Sequence, residues 1–260
     1  GMVTHTNPTR VREARRTNRV RLLSQHRINC PACERNGTCE LQKVVSTMPI
    51  GDTVNFKHEY PEDNWDTTLP IIRDESKCIR CYRCVSFCDK VQSLGIWDMV
   101  GTGAHTSVNV SRHRKMGQAD GAFCGQGITH WPTNALHARD DTKAIIGVNG
   151  VLNDPEKVVV VQVAPAVRAA WGETFGLSPE VATEKRMAAA LRRIGFDYVF
   201  DTNFSADLTI MEEGTEFLER IQHPEEHKWP MFTSCCPGWV RFLKSQYPDM
   251  VDNLSTAKSP

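Results

Sequence analysis

His26-x3-Cys30-x2-Cys33-x5-Cys39 and Cys78-x2-Cys81-x2-Cys84-x3-Cys88 gather seven thiols and one imidazole into two short runs of a 260-residue chain. Spacing this tight suits metal or cluster ligation, so the N-terminal part of the chain is constrained to fold around metal. Cys124, Cys235 and Cys236 complete the set of ten cysteines. In a reducing compartment such runs are poor candidates for structural disulfides.

Charge and hydropathy narrow the class. The chain carries 31 basic and 31 acidic residues, a balance that argues against a dedicated nucleic-acid or membrane-surface protein. No apolar run reaches the roughly 18 residues of a transmembrane helix. The N-terminus is polar and Arg-rich without an apolar signal core, and Gly1 ahead of Met2 reads as a tag remnant. The expectation is a cytoplasmic protein with no nucleic-acid and no membrane partner.

The chain reads as α+β, in three parts: 1–69, 70–150 and 151–260. A helix is predicted over 8–25, where seven arginines lie between Arg10 and Arg27; they form either a solvated face or a docking surface for an acidic partner. Tyr60–Leu69, rich in Asp, Pro and Asn, reads as a linker. Pro70–Arg73 is a short strand, and Gly95–Val110 a hairpin turning at Gly101–Gly103. Asp140–Pro155 is a second linker. Beyond it, Val158–Val163 reads as a strand buried on both faces. Helices are predicted from Ala166, over Glu180–Ile194, Ala206–Ile221 and Trp239–Gln246, and strands over Tyr198–Asp201 and Pro230–Thr233. Strands alternating with helices imply a parallel sheet.

The first run offers one imidazole and three thiolates, a donor set for a [4Fe–4S] cube at His26, Cys30, Cys33 and Cys39 or for a structural zinc ion. Neutral imidazole in place of a thiolate makes the site less negative and raises its reduction potential. The second run is a strong ferredoxin signal. In two-cluster ferredoxins the fourth cysteine of each motif serves the other cluster. The partner motif is degraded here: in 121–132, only Cys124 survives, with Gly121, Gly127 and Trp131 at the other three ligand positions. Cross-ligation leaves Cys78, Cys81 and Cys84 for one cluster, and Cys88 with Cys124 for the other. The second cube is therefore expected to be absent. The first is expected as a three-iron form, as a cube with a water or carboxylate ligand, or not at all. Gly offers no side-chain donor and indole Nε1–H only donates.

The segment from His26 to Gln42 resembles the His/Cys3 cluster region shared by multi-subunit [FeFe]-hydrogenases and the large iron–sulfur subunit of respiratory complex I. Thr233-Ser234-Cys235-Cys236-Pro237-Gly238-Trp239, at the carboxyl end of a predicted strand, resembles the first of three cysteine motifs that hold the H-cluster of [FeFe]-hydrogenases. Val161–Arg168 and Phe200–Leu208 match the same family. The resemblance implies a small His/Cys3 domain, a two-cluster ferredoxin-like domain and part of the α/β lobe of the H-cluster domain.

It also implies roles. Cys236 would ligate the cubane part of the H-cluster, and Cys235 would be the thiol that hands protons to the di-iron centre. Ala164 and Pro165 would line the di-iron pocket. Glu213, Glu216, Arg220 and Ser255 would belong to the proton path; from the residues alone, Glu216 and Arg220 are equally an ordinary i, i+4 ion pair. The implied partners are flavin/NAD(P)-linked or ferredoxin electron-transfer subunits. Of four H-cluster cysteines only Cys236 is present, so the H-cluster requires a chain or segment carrying the missing motifs. A catalytic region inactive in isolation is the expected function; the alternatives are a non-catalytic relay or sensor and a zinc-bound remnant.

Overall fold

The computed structural model describes residues 2–47 and 65–260. The first part of the expected Tyr60–Leu69 linker lies outside the described residues. The chain divides into two compact units, 1–139 and 140–260.

In the first unit, α1 (Thr9–Leu23) starts at Pro8, whose fixed φ suits a helix start. Most of its arginines are exposed, but Arg19 is buried, so it lies off any solvated face. A short α2 (Glu40–Ser46) follows the first cysteine run. β1 (Ile71–Arg73) leads into the second run. α3 (Arg83–Lys90) buries Cys84 and Cys88, which share one helical face at i, i+4. β2 (Trp97–Val100) and β3 (Ser107–Val110) form the predicted hairpin, in the register Trp97↔Val110 to Val100↔Ser107. The turn needs the left-handed Gly101, φ +81°, where a Cβ would strike the His105 carbonyl. α4 (Gln126–His130) carries the degraded motif. β4 (Leu136–Ala138) returns antiparallel to β1, Ile71 opposite Ala138. The core between these elements gathers Ile71, Cys84, Cys88, Ile96, Trp97 and Trp131.

In the second unit, α5 (Thr142–Ile146) and a 3₁₀ turn at Val151–Asn153 give the stretch read as a linker some helical structure. Then come β5 (Val160–Val163), α6 (Pro165–Thr174), α7 (Glu184–Ile194), β6 (Tyr198–Asp201), α8 (Thr202–Gln222) and α9 (Pro237–Gln246). β5 and β6 pair in parallel from Val160↔Tyr198 to Val163↔Asp201. Helices mix with three two-stranded sheets among the described residues, in keeping with the expected α+β class.

Three details depart from the sequence reading. The run Val158–Val163 is not buried on both faces: Val158 is 70% and Val160 53% exposed, and Tyr198 and Phe200 on the paired strand are also open. In a period-2 strand these residues share one face, and nothing among the described residues of this unit covers it. Pro230–Thr233 makes a single parallel bridge, Phe232 to Leu254, rather than a strand; Pro230 has no N–H to extend a ladder. α7 begins at Glu184, where the Thr183 side chain caps the helix by accepting from the Arg186 amide. Among the described residues no helix is long and apolar enough to cross a membrane.

Candidate functional site

The first candidate centre is built where the segment after α1 meets the turn before Cys78. The Arg27 amide donates to the Ser76 carbonyl at 2.8 Å. Lys77 is 4% exposed; its ammonium donates to the Arg27 carbonyl at 2.6 Å and to Asn29 Oδ1. This clamp buries His26, whose Nδ1 has no hydrogen-bond partner. Burial, and then the Lys77 charge, lower the His26 pKa to about 4. The ring is thus neutral at physiological pH, the form that ligates metal. Cys30 and Cys33 bracket one 3₁₀ turn and Cys39 caps α2, all half-buried. A buried, neutral imidazole with an unpartnered Nδ1, and three free thiols in the same segment, match the donor types of a His/Cys3 cube. Among the described residues no three or more His, Cys, Asp or Glu side chains are gathered into a group that could hold a metal ion.

The second candidate centre is the Cys78–Cys84 run. Cys78 and Cys84 are buried and Cys81 exposed. The Arg80 amide donates to Cys78 Sγ at 3.4 Å. Burial, with the neighbouring Cys78, pushes Cys84 up to about 12, and burial also raises Cys78. Thiols this buried ionise only against a cation, which an iron core would supply. Trp131, which motif spacing sets at the fourth thiolate's position, is 4% exposed and belongs to the same buried cluster as Cys78 and Cys84. Its ring meets Trp97 edge-on at 6.2 Å, its Nε1–H is buried without a partner, and its carbonyl accepts from Arg35. Three thiolates fit a three-iron cluster or a cube with one open corner.

The third is a small open-mouthed cavity of about 40 Å³ lined by Cys88, Cys124, Gly121 and Gly127 among apolar side chains. A Cβ on Gly121 would lie 3.1 Å from Met116 Cε, and one on Gly127 3.1 Å from Leu136 Cδ1. Side chains of Met116 and Leu136 stand close to where ligand side chains at these positions would begin. Two thiols do not fit a cube, and no cube is assigned there.

In the second unit the carboxyl ends of β5 and β6 lie side by side. Ala164 is the N-cap and Pro165 the first residue of α6. Thr202 Oγ1 donates to the Val163 carbonyl at 2.7 Å, and Arg168 pairs with Asp201 at 2.6 Å. Cys235 and Cys236 are exposed, Cys236 capping α9 with its amide donating to Ser234 Oγ at 3.0 Å. Of the residues assigned to a proton path, Glu216, Arg220 and Ser255 converge. Ser255 Oγ donates to Glu216 Oε2 at 2.7 Å, as do the Thr256 amide and hydroxyl. Arg220 donates to Glu216 Oε1 at 2.6 Å and to the Leu254 carbonyl at 2.9 Å. Burial alone would raise the Glu216 pKa, but the hydrogen bonds from Ser255, Arg220 and Thr256 prevail and hold it below the ordinary range. Glu213 is half-buried on α8 and, like the Cys235 thiol, stands outside this network. Lys77, Met116 and Thr256 are contributors that no motif spacing marks, because only long-range packing brings them to their sites.

Residues 157–260 match the family model described as the iron only hydrogenase large subunit, C-terminal domain. Residues 15–53 match the NADH-ubiquinone oxidoreductase-G iron-sulfur binding region. The chain is 44% identical to the NADP-reducing hydrogenase subunit HndD of Solidesulfovibrio fructosivorans, over 100% of this chain and 44% of the relative. It is 36% identical to iron hydrogenase 1 of Clostridium pasteurianum, over 100% of this chain and 45% of the relative. It thus spans less than half the length of either relative. A solved apo form of [FeFe]-hydrogenase HydA1 from Chlamydomonas reinhardtii aligns at 58% identity, covering 42% of this chain and 27% of that one, with a TM-score of 0.38. The chain is related along its whole length to the large subunits of [FeFe]-hydrogenases, and its N-terminal segment is shared with the iron–sulfur binding region of the NADH-ubiquinone oxidoreductase G subunit.

Proposed function

We propose that these 260 residues are the iron–sulfur electron-transfer region and the N-terminal part of the catalytic domain of an [FeFe]-hydrogenase, the reaction being 2H⁺ + 2e⁻ ⇌ H₂. Residues 1–69 would form the His/Cys3 cluster domain, 70–150 a ferredoxin-like domain with one disabled site, and 151–260 part of the H-cluster lobe. His26, Cys30, Cys33 and Cys39 hold one cube, and Cys78, Cys81 and Cys84 an incomplete iron–sulfur centre. Partner subunits, flavin/NAD(P)-linked or ferredoxin, exchange the electrons, and the setting is cytoplasmic.

The observation that carries this reading is the Ser255–Glu216 hydrogen bond. Two residues 39 positions apart, both placed on a proton path by motif resemblance, meet at 2.7 Å. In that pair Ser255 holds its proton toward an ionised Glu216 whose charge Arg220 balances, and a hydroxyl can both give and accept a proton. Cys235 is exposed beside the capping Cys236 and able to hold the last proton before the metal. When bound, an H-cluster supplies proton reduction and hydrogen oxidation. The uncovered face of Val160, Tyr198 and Phe200 is where segments bearing the remaining ligands would dock, in the same chain or in a second one.

Two measurements test this. After anaerobic loading with iron and sulfide, analysis and EPR should find the His26 cube and one three- or four-iron centre; three cubes per chain would refute the disabled site. These 260 residues matured with a di-iron precursor should evolve no hydrogen, and adding a fragment with the missing cysteine motifs should restore it. Turnover by the 260 residues alone, or silence after complementation, would overturn the catalytic reading.

A further inference from the structure

The cavity beside α3 is walled by sulfur as well as hydrocarbon. Cys88, Cys124 and Met116 all line it, with Phe87, Ile96 and Trp97 among the apolar neighbours. Cys88 is anchored on α3, and the Ile96 amide donates to its Sγ at 3.3 Å, so part of a thiolate charge there is already met by a backbone dipole. Cys124 stands at the mouth, exposed to solvent. The third sulfur comes from the Met116 side chain, whose Cε sits 3.1 Å from where a Cβ on Gly121 would stand. At the fourth ligand position Leu136 Cδ1 presents hydrocarbon instead, 3.1 Å from the equivalent point on Gly127.

Cys84 also lines the cavity but belongs to the Cys78 run, so the donors left to this space are two thiolates and one thioether, in an apolar wall with one open side. Soft sulfur donors of this kind select soft cations. Structural zinc takes four ligands, and no carboxylate or imidazole among the described residues joins these thiols in a group able to hold a metal ion. Magnesium and calcium require oxygen. A monovalent d¹⁰ ion satisfied by two or three sulfurs matches both the number and the softness of the donors. Its single charge leaves one net negative charge, which the Ile96 amide and the solvent mouth help to carry.

We propose that Cys88, Cys124 and Met116 form a copper(I) site in the space of the lost second cube. Binding is ligand exchange without electron transfer: Cu⁺ displaces two thiol protons, forms two Cu–S bonds, and takes the Met116 thioether as third donor. The proposal rests on the reading that no iron cluster assembles at Cys88 and Cys124.

The test uses the full chain, loaded anaerobically with iron and sulfide, in a Cys235→Ser/Cys236→Ser background that removes the other exposed pair. Iron and sulfide are counted first; a cluster that disappears in Cys88→Ser would overturn the premise. The chain is then equilibrated with copper(I) buffered by a bathocuproine chelator. It should withdraw about one Cu(I). Cys88→Ser and Cys124→Ser should each weaken binding at least as much as the roughly 10–100-fold that loss of a supporting residue costs a metal site. Met116→Leu, which keeps the volume, should weaken it roughly tenfold. In selenomethionine-labelled protein, X-ray absorption at the copper edge should show one Cu–Se path, lost in Met116→Leu; this readout stands even if the cysteine variants fold poorly. No copper withdrawn, or withdrawal indifferent to Cys88→Ser and Cys124→Ser, overturns the site. Bound copper without a selenium neighbour overturns the role of Met116.

Discussion

Trp131→Cys should move the stability of the metal-free and iron-loaded chains in opposite directions. Trp131 is 4% exposed, and truncating a buried side chain of that size costs about 3–5 kcal/mol, its edge-on contact with Trp97 included. Two effects offset this. The cysteine sulfur refills part of the space, worth about 1 kcal/mol. The buried Nε1–H without a partner disappears, returning about 1–3 kcal/mol. Central values leave the metal-free variant weaker by about 1 kcal/mol. With iron and sulfide present, the new thiolate completes the set begun by Cys78, Cys81 and Cys84, and metal-binding energy becomes folding energy. Urea unfolding in chelator and after anaerobic loading reads both states, with Trp131→Ala as a control that opens the same space and adds no ligand. EPR should change from a three-iron or open-corner signal to that of a reduced [4Fe–4S] cube. If loaded Trp131→Cys gains nothing over loaded Trp131→Ala, and the signal is unchanged, the placement of Trp131 at the fourth ligand position is wrong.

Acid should destabilise the metal-free chain through His26. Its folded pKa of about 4 lies below the ordinary 6.5, so the unfolded chain binds the extra proton first; stability is full above pH 6.5 and falls between 6.5 and about 4, by at most about 3 kcal/mol. Urea titrations at pH 7 and pH 4.5 should show this loss shrinking in His26→Leu. Glu216→Gln should lower stability by about 2–4 kcal/mol at pH 7, because it strips the counter-charge from a buried Arg220. Glu216 has a depressed pKa, so its contribution is present above the usual Glu range and is lost as pH falls through the folded value; the gap between wild type and variant, followed by thermal unfolding, should close in acid. Gly127→Cys alone should add no complete cube, since Leu136 Cδ1 would lie 3.1 Å from the new Cβ and position 121 would still lack a donor; a full additional cube measured by iron analysis would contradict this.

Local chemistry made much of the molecule legible. Alternation and glycine placed the hairpin between Trp97 and Val110, and the β-branched runs placed β5 and β6. Cysteine spacing marks the candidate centres, and His26 is a candidate because it stands at ligand spacing ahead of Cys30. What failed depended on partners distant in sequence. Val158 and Val160 read as doubly buried because the run is continuously apolar, yet the second face needs a covering layer that residues 140–260 do not supply. Phe232 pairs only with Leu254. The Glu216 network needed Ser255 and Thr256 to arrive from beyond α9, so spacing revealed only the i, i+4 pair with Arg220. No motif spacing marks Lys77; its role as a clamp exists only once Arg27 and Asn29 lie against it.

The ties between the two cysteine-rich runs contain no metal. Lys77 holds the backbone around Arg27, Arg35 reaches the Trp131 carbonyl, and Arg83 grips Glu40 with two bonds of 2.8 Å. Each of these bonds joins protein groups alone, so a displacement at one cysteine run is passed to the other through the polypeptide itself, independently of what either run holds.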